Sequence, residues 1–244
     1  MAIKILMTAG AKGGTGKSTF AGFVVNWLRD AGVDPFLIDC DDENSTLSRF
    51  FETERIEPTR VKSYYRIIDI AEKGDHPIIV CDLKGGVKNS MIQFVADIPF
   101  EELSELGITF VLIGVLTSSP DATSSLLGWA NFLGSRVKYL VVRNLKDSDA
   151  AGLDPKSIEF PEYDATKQAL EFRRRYKPAE IIMPGLDPEY QAELERCNLT
   201  IRDVVAKRPG VPLALSSLIV RSKLNNYQNG IYTQLAAHKE LLLP

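Results

Sequence analysis

The chain has 244 residues, with 29 Lys and Arg against 32 Asp and Glu, a net charge of −3, and 45% hydrophobic residues. That is the composition of a globular protein with a sizeable core, and it excludes a constitutively basic nucleic-acid binder. Three cysteines (Cys40, Cys81, Cys197) are too few and too scattered for a disulfide scaffold or a four-ligand zinc site, and two histidines (His76, His238) leave little room for histidine chemistry.

Residues 3–7 (Ile-Lys-Ile-Leu-Met) predict a buried strand. They lead into Gly10-Ala11-Lys12-Gly13-Gly14-Thr15-Gly16-Lys17-Ser18-Thr19, and a helix follows with Phe20, Phe23, Val24, Trp27 and Leu28 on one face, stopped by Gly32. Residues 35–38 predict a second strand that ends in Asp39-Cys40-Asp41-Asp42, which completes a βαβ unit. The alternation continues: helix 66–73, strand 77–81 ending at Asp82, helix 89–106, strand 108–116, helix 121–133, strand 137–142 ending at Arg143-Asn144, helix 163–176, and a last short strand around Ile181-Ile182. From Pro188 onward strand character is lost, and helices are expected with breaks near Asn198 and at Arg208-Pro209-Gly210. Residues 106–116, the most apolar stretch, would reach only about 17 Å as a helix, short of a membrane's hydrocarbon core, and read as a strand. The run Ile5-Leu6-Met7 is too short for the apolar core of a signal peptide, so a cytoplasmic location is expected.

This order predicts an α/β fold with a single doubly wound, mostly parallel sheet flanked by helices. One domain is expected over 1–244, with 1–186 as the sheet core and 187–244 as helices packed on it. Ligands of such sheets bind at the carboxyl ends of the strands, where the polar residues singled out here gather.

The run from Gly10 to Ser18 fits the phosphate-loop pattern of Gly, four residues, then Gly-Lys-Ser, with the required strand before and helix after. Glycines let successive N–H groups turn inward around anionic oxygens, and the helix N-terminus adds positive potential. Gly13, Gly14, Thr15 and Gly16 are therefore candidate phosphate ligands. Lys17 is a candidate catalytic cation for the β- and γ-phosphates, Ser18 a Mg²⁺ ligand, and Thr19 is placed for the α-phosphate. Ile78-Ile79-Val80-Cys81-Asp82 has the form of a Walker B strand, four apolar residues delivering one carboxylate for Mg²⁺.

With its second lysine, Lys12, the loop resembles the deviant Walker A motif of the ParA/MinD superfamily of ATPases; the specific motifs cover the first 145 residues. The resemblance implies ATP and Mg²⁺ as cofactors, and a nucleotide-sandwiched homodimer in which Lys12 reaches the partner's phosphates. It also implies slow, partner-stimulated hydrolysis. By the same match, Asp41 orients or activates the attacking water, Asp39 supports the Mg²⁺ hydration shell and Asn144 hydrogen-bonds adenine. Pro184 and Leu186, in the loop after the last strand, pack on the base. The family's proline-containing segment after the Walker B Asp is replaced here by Leu83-Lys84-Gly85-Gly86, which puts family-average hydrolysis rates in doubt.

The phosphate loop starts at residue 10, so no N-terminal helix-turn-helix is expected. This is similar to small plasmid-borne members of the StbB, TraL and ParA partition type. The implied role is that of a bacterial ATPase switch in plasmid partition, stability or conjugative transfer, with DNA or a DNA-binding adaptor as partner and an association with the nucleoid. The basic clusters Arg173-Arg174-Arg175-Tyr176-Lys177, Lys207-Arg208 and Arg221 with Lys223 are candidate DNA contacts or solvated helix faces. The C-terminal helix carries Ile231, Leu235 and Leu242 on one side without a basic polar face, so core packing is expected rather than membrane binding. The alternative functions are a small-molecule kinase or ligase similar to dethiobiotin synthetase, a MinD-like positioning ATPase, and a nucleotide-binding scaffold that barely hydrolyses.

Overall fold

The first apolar run becomes strand β1 (Ile3–Ala9), and it sits at the centre because it is apolar on both faces, with Ile5 and Leu6 both fully buried. The computed structural model describes residues 2–10, 14–41, 46–85, 89–146 and 160–244. Among these residues seven parallel strands form one sheet in the order β3-β2-β4-β1-β5-β6-β7. These are β2 (Phe36–Asp39), β3 (Glu54–Arg55), β4 (Ile78–Asp82), β5 (Ile108–Leu116), β6 (Lys138–Asn144) and β7 (Ala179–Met183). The doubly wound, parallel architecture expected from the alternation of strand and helix is present.

Alternate residues of each strand feed two hydrophobic cores. One face carries Ile5, Met7, Ile79, Leu112 and Val141, covered by α3 (Val61–Lys73), α4 (Asn89–Asp97), α5 (Phe100–Glu105), α6 (Pro120–Leu133) and α8 (Lys167–Tyr176). The other carries Leu6, Val80, Ile113 and Val142. It is covered by α1 (Lys17–Asp30), α9 (Pro188–Cys197), α10 (Ile201–Val205), α11 (Leu213–Ser216), α12 (Leu218–Ala237) and α13 (Lys239–Leu242). Ile231 and Leu235 of α12 and Leu242 of α13 are all fully buried in this second core, and the single helix expected to carry the three residues breaks at His238. No helix among the described residues is long and apolar enough to cross a membrane.

Strands β1 and β5 are neighbours, yet the helices that follow them, α1 and α6, lie on opposite faces. A crevice therefore opens at their carboxyl ends, the switch point at which open α/β sheets bind ligands. The phosphate-loop sequence lies at that opening.

The structure departs from the sequence expectation at four further places. The 89–106 helix divides into α4 and α5 at Ile98-Pro99, because proline lacks an N–H and disfavours the helical conformation before it. The 163–176 helix divides into α7 (Pro161–Ala165) and α8 at Thr166, an extended residue whose hydroxyl accepts a hydrogen bond from the Ala169 N–H. Helix α3 starts at Val61 rather than residue 66, since Tyr64 extends the buried stripe of Ile67 and Ile70. Finally, β3 and α2 (Thr46–Phe50) carry no apolar run that announces them; β3 exists through its pairing of Glu54 with Ile38 and Arg55 with Asp39.

Candidate functional site

Sheet register assembles the acidic part of the site. Thr8 of β1 and Asp39 of β2 both stand beside Asp82 of β4 at the carboxyl edge. Asp82 is fully buried; its Oδ1 accepts a hydrogen bond from the Thr8 hydroxyl at 2.6 Å, and the Ser18 side chain also hydrogen-bonds it. Burial pushes its carboxyl up to about 6, and the nearby Asp39 adds to this, while the Ser18 and Thr8 hydrogen bonds and the Lys17 charge pull it back. Asp82 Oδ2 is buried without a hydrogen-bond partner. A hydroxyl and an incompletely satisfied carboxylate, side by side at a phosphate loop, are a donor set that fits a divalent cation whose other ligands are phosphate oxygens and water. Among the described residues no cluster of three or more His, Cys, Asp or Glu side chains could hold a metal unaided.

The phosphate loop closes tightly around its own side chains. A Cβ on Gly10 would lie 2.8 Å from Thr15 Oγ1 and 3.0 Å from the Lys17 stem. Gly16 has a φ of +89°, and a Cβ there would lie 2.5 Å from Asn144 Nδ2 and 3.1 Å from Met183 Cε. Only glycine fits that turn, which lets α1 start directly at Lys17. Thr15 and Lys17 are buried within this fold of the chain, and Lys17 lines the cavity with Gly14, Gly16, Ser18 and Thr19. Lys12 and Gly13 lie outside the described residues.

Asp41 is buried at the cavity wall, and its N–H donates to Asp39 Oδ1 at 3.0 Å. The other Asp39 oxygen accepts from the Ser48 N–H at 3.0 Å and from the Ser48 hydroxyl at 2.5 Å. The two Asp39 oxygens thus tie Asp41 and Ser48 to the end of β2, while Asp41 is the carboxylate that borders the cavity. Asn144 is buried at the end of β6, and its Nδ2 donates to the Thr15 carbonyl at 2.9 Å. This bond ties the β6 terminus to the phosphate loop. Met183, Pro184 and Leu186, at and after the end of β7, line the same cavity, and so does Lys146, which donates to the Gly14 carbonyl at 3.1 Å.

The cavity, about 290 Å³, extends past the phosphate loop along α1 to α2, α9, α10 and α12. Its far end holds Gly22, Phe23, Asn26, Phe51, Tyr227 and Gln228. Sequence reasoning does not reach these residues, nor Thr8 and Ser48. Thr8 had a visible signal, a polar residue in an apolar strand next to the glycine loop, and Asn26 one too, a carboxamide within a mostly apolar helix. Gln228 has none, because its place in the site depends wholly on how α12 packs.

The basic clusters are distributed differently from one another. Arg173 sits over the Tyr163 ring and pairs with Glu180 at 3.2 Å and Asp164 at 3.6 Å, in a network that includes Arg143. Arg174 and Arg175 are exposed, and Arg208 pairs with Asp203 at 3.3 Å.

No family model matches the chain, and no curated protein matches it in sequence. Solved structures match it along most of their length. The MinD cell division protein of Aquifex aeolicus aligns with a TM-score of 0.54 at 13% identity, covering 96% of this chain and 97% of that one. The fold is that of the MinD and ParA ATPases. A ParA family ATPase of Chlorobium tepidum TLS gives 0.50 at 10% identity, with 93% of this chain and 98% of that one covered. A plasmid partition protein of Borrelia burgdorferi B31, bound to AMPPNP, gives 0.50 at 13% identity, with 97% and 99% covered. At these identities the likeness is one of fold, and the function is argued from the site.

Proposed function

We propose that this protein is an ATP-hydrolysing switch that dimerises around bound nucleotide and positions or segregates DNA, directly or through an adaptor. The observation that carries the reading is the phosphate loop at the switch point of the sheet, with Lys17 and Ser18 lining the cavity and set against the buried Asp82. The loop N–H groups and the α1 N-terminus take the phosphate oxygens, and Lys17 places its charge beside them. Ser18 and Asp82 would hold Mg²⁺, which supplies charge neutralisation on the transferred phosphate when bound. Asp41, buried at the cavity wall, is the group placed to orient a water molecule for attack, and Lys12 supplies the cation that crosses to the partner's nucleotide. Support for the positioning role comes from the shared MinD and ParA fold and from the Lys12 motif. The exposed Arg174 and Arg175 offer phosphate contacts of the kind that bind DNA without sequence preference.

The deciding experiment measures mass in solution with ATP, ADP and no nucleotide. The wild type is expected to dimerise with ATP alone, and Lys12→Ala to bind ATP yet remain monomeric. A Lys12→Ala protein that dimerises normally removes the trans role of this lysine. A wild type that turns over ATP only when a small acceptor is added points instead to a small-molecule kinase or ligase.

A further inference from the structure

The far end of the cavity is built unlike its phosphate end. Thr19, Gly22, Phe23 and Asn26 follow one another at helical spacing, so they form a single stripe on α1 that leads away from the phosphate loop. At 1.5 Å of rise per residue, Thr19 to Asn26 spans about 10 Å, the reach of a ribose and its base beyond an α-phosphate. Gly22 leaves the α1 backbone bare, and the Phe51 ring lies against it, 3.5 Å from where a Cβ would stand. Phe23 and Tyr227 pack ring to ring with centroids 5.9 Å apart, and the Tyr227 hydroxyl donates to the Pro184 carbonyl at 2.9 Å. That bond joins α12 to the loop after β7, so the walls of the cavity are tied together.

Within these aromatic walls stand two carboxamides. Asn26 is 5% exposed and Gln228 6% exposed, and Gln228 Oε1 has no hydrogen-bond partner. A buried, unsatisfied carboxamide is costly to the folded chain and calls for a ligand that can pair with it. A carboxamide offers a donor and an acceptor in one plane, which matches the edge of a neutral heteroaromatic ring, and flanking aromatic side chains offer it a face. Asn144 uses one of its two Nδ2 donors on the Thr15 carbonyl, so Gln228 and Asn26 add carboxamide pairing capacity beyond what it offers.

We infer that the α1–α12 end of the cavity is the base-recognition subsite, with the Gln228 and Asn26 carboxamides reading the edge of the purine. This inference rests on the reading of the phosphate loop as a nucleoside triphosphate site. Gln228 and Asn26 are then specificity-determining residues, remote from the reacting phosphates and supplied by α12 and α1 respectively.

Titration calorimetry of the full chain with ATP, GTP and inorganic tripolyphosphate, each with Mg²⁺, tests this. The wild type is expected to bind ATP more tightly than tripolyphosphate. Gln228→Leu and Asn26→Leu are each expected to weaken ATP by about tenfold, narrow the preference for ATP over GTP, and leave tripolyphosphate unchanged. Gln228→Leu is also expected to melt no lower than wild type without ligand, since it removes an unsatisfied buried oxygen. Gln228→Met, which keeps the length and the helical preference, repeats the measurement where leucine disturbs packing. Variants that bind ATP and GTP as the wild type does overturn the inference and leave the phosphate-loop reading intact, as does a wild type that holds ATP no better than tripolyphosphate. A wild type that binds neither ATP nor tripolyphosphate overturns both.

Discussion

The two ends of the cavity solve opposite problems. At the phosphate end the charged groups have partners inside the protein for all but one carboxylate oxygen: Asp82 takes hydrogen bonds from Thr8 and Ser18 beside Lys17 while its Oδ2 has none, and Asp39 is held by the Asp41 N–H and by Ser48. At the α12 end neutral carboxamides sit among aromatic rings, and Gln228 Oε1 has no partner at all. A buried charge must be paired to be tolerated, whereas an unpaired amide is a smaller burden that a fold can carry until a ligand arrives. The phosphate end is thus largely pre-organised through its own hydrogen bonds, and the far end is organised by shape.

Three substitutions sharpen that contrast. The largest effect is expected from Lys17→Ala, which removes the buried cation from the phosphate loop. ATP and tripolyphosphate binding should both fall by about a thousandfold, about 4 kcal/mol, in the same calorimetric assay. The equal loss for both ligands distinguishes it from the far-end variants, and a loss confined to ATP would contradict the division of the cavity.

Gly16→Ala comes next. It forces a side chain onto a φ of +89° and into Asn144 Nδ2 at 2.5 Å, so the link between β6 and the phosphate loop must break or shift. A destabilisation of about 2–3 kcal/mol in urea unfolding is expected, together with weaker binding of both phosphate ligands.

The smallest of the three changes has the opposite sign. The Asp82 carboxyl is raised in the folded chain from 3.8 to about 6, so between those values the native state binds the proton more tightly than the unfolded one. Its contribution is at its most favourable below the unfolded value and is lost as the pH rises through about 6. Asp82→Asn, without nucleotide or divalent cation, should be more stable than wild type by about 2 kcal/mol at pH 7.5. The gap should shrink as the pH falls toward 4. Denaturant unfolding across that range measures the difference, and a wild type more stable than the variant at pH 7.5 would mean that the phosphate end is a net support of the fold rather than a cost to it.

The legibility of the site follows the same division. The phosphate loop, Lys17, Ser18 and Asp82 stood out because their chemistry depends on local backbone turns and on strand ends, both of which are written in short stretches of sequence. The roles of Asp39 and Asn144 were harder to read. Each is a polar residue at a strand end, and only the packing of neighbouring segments commits Asp39 to Ser48 and Asn144 to the Thr15 carbonyl. Helix breaks at Pro99 and Thr166 were masked by apolar patterns that run on through them, since periodicity reports the buried face and not the continuity of the backbone. Strand β3 was invisible because Glu54 and Arg55 carry no apolar pattern and join the sheet by backbone pairing alone.

By itself, the sequence determined the alternation of strand and helix, the position of the phosphate loop within it and the acidic residues at its rim. All of these arise from contacts between near neighbours or from the one-dimensional rhythm of apolar residues. The tertiary structure alone decided that the cavity runs on along α1, and that Asn26 and Gln228, some 200 positions apart, share its far wall. Helix α12 reaches that wall because Leu224, Ile231 and Leu235 bury themselves against the sheet, and hydrophobic packing of this kind is non-directional and open to many partners. Which polar side chain it carries into a cavity is settled only when the whole core has closed.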